Sequence, residues 1–434
     1  MFHLKLNSLV GRLAVVLGGL AVFILLSIWI VRACIAFQIA NTPSYADLER
    51  AVRLDPGNAE YHLRLARLAQ YSVEHMDAEL AMTQLREAAR LNPRDPQPWL
   101  ELSAAQGFQS DMAVSEASLR RADALAPHLP SVQWIIGNFF LLHGDLDEAF
   151  RHFKIVLAGS RQYSRILFST AWKASGDGDK ILNELIPDQV STEIDYLYYL
   201  LSQKQYPESA AVWKRIAASS ETFPARIAAG YFDRLINAQM PDEAALVWND
   251  LQAKGLIKPT YQPRNDNLLV NGDFEEDLLK MGFGWRIPKH EGIYVGLDST
   301  TFHSPSRSLL ITFSGKENVG FRPAYEFVRV SPGRSYRLTG FLKTDGITTD
   351  SGPRLQVRDA YDPSALHEVS DGLTGTTGGW SQLILDFSTS PKTQLIAIGV
   401  ARLPSKKLDN LIAGKVWVDD LSLTPLPAGS TRAR

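Results

Sequence analysis

The residues of this chain that could do chemistry sit in two alternating segments, Tyr336-Arg337-Leu338-Thr339-Gly340-Phe341 and Leu355-Gln356-Val357-Arg358. Leu338 and Val357 read as inward, which turns Arg337, Thr339, Phe341, Gln356 and Arg358 to the opposite face of their strands. Guanidinium and amide groups beside an aromatic ring supply hydrogen bonds and a flat apolar surface, which is the chemistry of reversible binding rather than of bond breaking. Arg337, Phe341, Gln356 and Arg358 are the candidate ligand face, against the alternative of an ordinary solvated sheet surface. Patterns for catalysis are not found: there is no His-Glu-x-x-His, no phosphate loop and no Gly-x-Ser-x-Gly elbow, and the nine histidines are dispersed. Gly372-Leu373-Thr374-Gly375 and Gly282-Phe283-Gly284 lack a strand-to-helix context and read as turns. The chain is expected not to be an enzyme.

The elements that position these residues follow from the whole chain. Its 434 residues are enough for two or three domains. A net charge of -2, from 45 basic and 47 acidic residues, argues against a chain built to coat nucleic acid. With 45% apolar and 21% charged residues the composition is that of a folded protein. One cysteine excludes a disulfide framework or a thiolate metal cage within the chain. A mean hydropathy of -0.10 excludes a polytopic membrane protein, yet it hides nineteen uncharged residues between Arg12 and Arg32.

As a helix those residues would span roughly 28 Å, long enough to cross a bilayer and longer than the apolar core of a secretory signal. A short tail (1–12) and an uncleaved transmembrane anchor (13–34) are expected. Cys34 follows Val31-Arg32-Ala33, which resembles a lipoprotein cleavage box, but Arg32 fits such a box poorly. Cys34 is read as a helix-end residue without a special role, with lipidation as the alternative. Lys5 and Arg12 before the span favour a single-pass protein whose bulk lies outside the cytoplasm, on a periplasmic or extracytoplasmic face.

Residues 44–257 carry apolar residues at helical spacing. Pro93 and Pro127 each close an A-x4-P pattern begun at Ala88 and Ala122, and Ala51 to Pro56 gives a third copy upstream. In the fullest copy Gly137, Phe140, Gly144, Ala149 and Phe153 follow Trp134. This register resembles the tetratricopeptide repeat, a helix pair of about 34 residues. Later copies fade at Gly176-Asp177-Gly178, but Ser209 and Ala244 each have a tryptophan four residues on, Trp213 and Trp248. The small residues are expected where helices cross and the aromatics as core. The resemblance implies stacked pairs with a groove for a protein partner.

Beyond a linker at 258–266, with Pro259 and Pro263, the texture becomes Gly, Ser, Thr and alternating strands. Segments 308–313, 336–341, 355–358, 382–387 and 416–421 predict an antiparallel sandwich over 267–427, followed by a tail at 428–434. Five motifs occur in order: Asn267-Leu268-Leu269-Val270-Asn271-Gly272-Asp273-Phe274-Glu275, Trp285, Ser306-Arg307-Ser308-Leu309, Pro332-Gly333-Arg334-Ser335-Tyr336 and Trp417-Val418-Asp419-Asp420-Leu421. The series resembles the jelly-roll carbohydrate-binding modules of the galactose-binding-like superfamily.

That resemblance implies glycan binding and a structural calcium held by the Asp273 carbonyl and the Glu275 and Asp419 carboxylates. This sequence lacks the further carboxylate that such sites use near Ser304 to Ser306. Trp285 and Trp380 match positions that are core in the family. The sandwich carries 17 basic against 18 acidic residues, which predicts no polyanion groove.

The expected fold class is multidomain: a transmembrane helix, an all-α superhelix and an all-β jelly roll. The expected function is a membrane-anchored cell-envelope adaptor, with a protein in the repeat groove and a glycan on the sandwich, as in exopolysaccharide assembly or export. The competing expectation is a purely structural protein–protein scaffold with no sugar binding; a glycoside hydrolase is a weaker third.

Overall fold

The computed structural model describes residues 9–42, 44–108, 112–264, 266–316, 318, 320–408 and 410–427. The expected tail 428–434, and residues 1–8 of the expected N-terminal tail, lie outside them. Helices occupy the first part of the chain and two antiparallel sheets the last, so the protein is multidomain, all-α and then all-β. Two compact units divide between Tyr199 and Leu200.

In the first unit, α1 (Leu9–Ala40) is one continuous helix that extends past both ends of the expected span. Gly11–Ala40 is long and apolar enough to cross a membrane, with a mean hydropathy of 2.7 over an 18-residue window, a test that a signal sequence near an N-terminus also passes. The last turns of α1 have a second role. Ala36 and Ala40 are buried against Leu48 and Ala51 of α2 (Tyr45–Leu54) and against Tyr61 and Leu65 of α3 (Ala59–Tyr71). Arg32 reaches the Arg53 carbonyl at 3.3 Å.

Antiparallel pairs follow: α3 with α4 (Ala78–Leu91), α5 (Gln97–Phe108) with α6 (Met112–Leu125), and α7 (Pro130–Leu142) with α8 (Leu146–Gly159). Pro56, Pro93 and Pro127 each lie in the turn after α2, α4 and α6, where a residue without an N–H costs no helical bond. Asn58, Asp77 and Asp145 cap α3, α4 and α8 by accepting from the Glu60, Leu80 and Glu148 amides. The α7–α8 crossing is close because Gly137 leaves room for Phe153, whose ring would lie 2.5 Å from a Cβ placed there. Ala149 and Phe153 are buried beside it. After α9 (Ser164–Ser175) the second helix is cut to a three-residue turn, α10 (Gly178–Lys180), which runs into a π-turn at Ile181–Leu185. α11 (Val190–Ser202) crosses the division between the units.

The second unit holds α12 (Tyr206–Ala218), α13 (Ala225–Asn237), α14 (Pro241–Ala253) and the sandwich. Its strands are β1 (Ile293–Asp298), β2 (Ser308–Ser314), β3 (Phe321–Arg329), β4 (Ser335–Asp345), β5 (Arg354–Asp359), β6 (His367–Val369), β7 (Ser381–Ser388), β8 (Leu395–Arg402) and β9 (Ala413–Pro425). One sheet has the order β1-β2-β9-β4-β7 and the other β3-β8-β5-β6. Leu309, Ile311, Leu338, Leu342, Val416 and Val418 of the first face Leu355, Val357, Ile396, Ile398 and Val400 of the second. Each such side chain contributes about 1.5–3 kcal/mol by leaving water. Trp285 is core as expected, with its indole N–H on the Asn271 carbonyl at 3.1 Å.

The start of the sandwich is tied to its last strand. The Asn267 side chain accepts from the Leu423 amide at 3.0 Å and donates to the Leu421 carbonyl at 2.9 Å, and the Leu268 amide donates to the Leu423 carbonyl at 3.0 Å. Asn271, at φ +57, folds the next turn by bonding both backbone groups of Glu276 at 2.8 Å.

Residues 258–264 of the expected linker are packed chain between the two textures. Tyr261 is buried; its carbonyl accepts from Trp248 at 3.0 Å and Gln252 at 2.9 Å, and its hydroxyl donates to the Asp277 carbonyl at 2.7 Å. Trp248 of α14 lies flush on Gly282, where φ is +59 and a side chain would collide with the indole. Phe283 meets Phe232 edge-on at 4.8 Å, and Arg286 donates to Asp233 at 2.6 Å. A cavity of about 240 Å³ remains in this seam, lined by Trp248, Val270, Phe283 and Glu326. Glu326 points inward from β3, fully buried, accepting from the Val270 amide at 2.6 Å while its second carboxyl oxygen has no protein partner. Burial pushes its pKa well above the usual 4.5.

Two outcomes follow from this packing. Gly137→Val should lower unfolding free energy by about 1–3 kcal/mol through overpacking against Phe153, measured by urea titration; an unchanged midpoint would contradict the close crossing. Burial raises the pKa of Glu326 in the fold above its unfolded value, so its contribution to stability is complete below about pH 4.5 and lost as pH rises toward the folded pKa. Glu326→Gln should therefore flatten the fall in melting temperature between acid and mildly alkaline pH, and a parallel fall in both proteins would contradict the assignment.

Candidate functional site

The four-stranded sheet turns one face to the core, and its register defines the other. Gln356 pairs with Gly399, Arg358 with Ala397 and Arg354 with Ala401, so these positions share the outward face with Tyr325 of β3, the partner of Gly399. Small residues along β8 keep the centre of this face low, while the long side chains of β3 and β5 rise on either side. The result is a groove of about 590 Å³ lined by Pro288, Arg322, Tyr325, Gln356, Ala401 and Pro404. An irregular register between Phe321 and Ala324 lets Arg322 join this side, where its guanidinium lies 5.4 Å from the centre of the Tyr325 ring.

The polar groups here are poorly satisfied from within the protein. Gln356 is only 6% exposed; its amide nitrogen meets His367 Nε2 at 2.8 Å, and its oxygen has no partner. Arg322 Nη1 and Arg358 Nε are likewise shut off from solvent without an acceptor. Among the described residues, the outward positions of these four strands carry no carboxylate. Burial, reinforced by the neighbouring Arg358, pushes the Arg322 guanidinium down to about 10, and burial lowers Arg358 as well. A desolvated pair of like charges is costly to the fold and leaves hydrogen-bond donors ready for an acceptor.

The four residues expected to form one ligand face do not converge. β4 and β5 are consecutive in the chain but lie in different sheets, so outward residues of the two point in opposite directions. Gln356 lines the groove, and Arg358 lies two residues along β5 on the same outward face, opposite Ala397. Arg337 lies on the five-stranded sheet, bound at both donors to Asp386 of β7 at 2.7 Å, which holds that carboxyl below its usual range. Phe341 stacks on His303 at 3.9 Å, and half-buried Trp380 meets the same imidazole edge-on at 5.7 Å. Thr339 shares that sheet and faces Ile384. Arg322 and Tyr325 were missed because Pro323 interrupts their segment, although Tyr325, Phe327 and Arg329 do alternate.

The oxygens expected to hold calcium do not fit an ion in this arrangement. Glu275 accepts from the Ser306 and Arg307 amides at 3.0 and 2.9 Å, and the Arg307 guanidinium sits on the Glu275 carbonyl and on Asp277. Asp419 accepts from the His303, Ser304 and Asp420 amides at 2.7, 3.1 and 2.8 Å, and burial pushes it up to about 6. The Asp273 side chain, whose carbonyl rather than carboxylate was the expected ligand, accepts within its own turn from the Glu275 amide at 3.5 Å. The place expected to supply another carboxylate supplies N–H donors instead, and a fixed guanidinium stands where positive charge is needed. Among the described residues, no group of three or more His, Cys, Asp or Glu side chains is placed to hold a metal ion.

No family model and no curated protein matches the chain. Among solved structures it is similar to the enzymatically active domain of tailspike protein 4 from bacteriophage CBA120, at 14% identity over 37% of this chain and 21% of that one, with a TM-score of 0.27. The chain thus spans about a fifth of the tailspike domain. It is also similar to the CBM22-1 xylan-binding domain of Xyn10C from Paenibacillus barcinonensis, at 14% identity over 38% of this chain and 99% of that one, with a TM-score of 0.25. A third similarity is to pilF of Pseudomonas aeruginosa, at 16% identity over 46% of this chain and 92% of that one, with a TM-score of 0.26.

Proposed function

We propose that this chain is a non-enzymatic adaptor held on a membrane by α1, with its bulk on the extracytoplasmic side of a cell envelope, as in exopolysaccharide assembly or export. The helix pairs, read as tetratricopeptide-like repeats, hold a protein partner. The sandwich, read as a carbohydrate-binding jelly roll, binds a glycan in the groove above β8. The observation that supports this reading most is that groove, with its low floor, its aromatic wall and the unpartnered oxygen of Gln356. A glycan supplies many hydroxyls that donate and accept at once, which suits an amide and guanidinium donors better than an apolar ligand does.

The seam of Trp248, Tyr261 and Gly282 favours a second reading, in which the sandwich serves only to pack on α13 and α14. An array of bacterial polysaccharides probed with the detergent-solubilised full chain separates the two. Binding to a polysaccharide class, weakened about tenfold by Gln356→Ala, is the expected outcome. Silence across the array from protein that melts cooperatively would overturn the glycan reading in favour of the scaffold.

A further inference from the structure

The near-equal charges of the sandwich conceal a segregation. Of its 18 acidic residues, Glu275, Asp277, Asp419 and Asp420 lie where the first turn meets β9, with Arg307 beside them, Asp386 is taken by Arg337, and Asp350 is taken by Ser405 and Lys407. Arg322 lines the groove instead, Arg354 and Arg358 stand at outward positions of β5 on the same face, and among the described residues no carboxylate occupies an outward position of that sheet. Arg354 reaches only the Gly352 carbonyl and the Ser351 hydroxyl, both at 3.4 Å. The expectation of no anion groove, drawn from composition, averages over two faces that differ.

We propose that the groove takes an acidic glycan and reads the carboxylate of a uronic-acid unit with Arg322 and Arg358, while Gln356 holds a neighbouring hydroxyl. This rests on the reading of the groove as a glycan site. A guanidinium presents two parallel donors matched to a carboxylate, and a carboxylate between two such groups relieves their mutual repulsion. The like-charge pair is what a neutral glycan would leave unexplained, since neutral hydroxyls give no return for holding two desolvated cations together. The lowered Arg322 value agrees with that crowding. One carboxylate set among hydroxyls also fits two cations flanking an amide better than a densely sulfated chain does.

The test is titration of the detergent-solubilised full chain with polygalacturonate, its methyl ester, neutral xylan and dextran sulfate, at low and high salt. Polygalacturonate should bind tightest, weaken with salt, and lose about tenfold or more in affinity with Arg322→Gln or Arg358→Gln. Gln356→Glu, which places a carboxylate between the arginines, should raise the melting temperature and abolish polygalacturonate binding, and it serves should the arginine variants fold poorly. Equal binding of the ester or of xylan, or indifference to these substitutions, would overturn the acidic class while leaving a glycan site. Equal binding of dextran sulfate would reduce the interaction to charge alone and overturn carboxylate reading. No binding by any glycan to folded protein would overturn the glycan site itself.

Discussion

The second unit depends on a clasp between the beginning and the end of its sandwich. Asn267 uses both ends of one amide on the backbone of Leu421 and Leu423. Without that clasp the Leu421 carbonyl and the Leu423 amide would lose their side-chain partner, and buried backbone groups left unpaired are costly. With it, β9 lies between β2 and β4 as a fixed strand, and Val270 is delivered to the buried carboxyl of Glu326. The same segment continues the chain from Tyr261, so the clasp of the sandwich and its seat on α14 are joined by one short stretch of chain.

That coupling leaves the two outer faces of the sandwich with different fates. On the five-stranded sheet the polar groups find one another, as Arg337 with Asp386 and Trp417 with Asp298 at 2.7 Å, and the aromatic Phe341 is closed by His303. Such a face is finished by its own side chains. On the four-stranded sheet small residues in β8 leave the middle low, and Arg322 Nη1, Arg358 Nε and the Gln356 oxygen have no hydrogen-bond partner. A fold that retains desolvated donors of like charge gives up stability for them, which is how a binding surface differs from a packed one.

Much of this fold was readable from residue order. The prolines after α2, α4 and α6, and the Gly137–Phe153 crossing, obey local rules of chain geometry and sterics, and those survive translation into sequence spacing. All five alternating segments became strands: β2, β4, β5, β7 and β9. β8 escaped because Leu395-Ile396-Ala397-Ile398-Gly399-Val400-Ala401 is buried on both sides and so does not alternate. β3 escaped because of Pro323, which its bulge accommodates. The candidate site was half legible. Alternation correctly turned Gln356 and Arg358 outward, but which sheet a strand joins is set by pairing across more than a hundred residues, as with β2 and β9, and no local pattern carries it. Arg337 and Phe341 were grouped with the groove for that reason.

On the proposed reading, ligand binding belongs to the face above β8 and not to the opposite sheet. The most direct measurement is a structure of the full chain with a bound oligogalacturonate. A sugar carboxylate is expected within hydrogen-bonding reach of Arg322 and Arg358, beside Gln356 and above Gly399. A sugar seated instead beside Arg337 and Phe341, or density absent from the groove at saturating ligand, would contradict it.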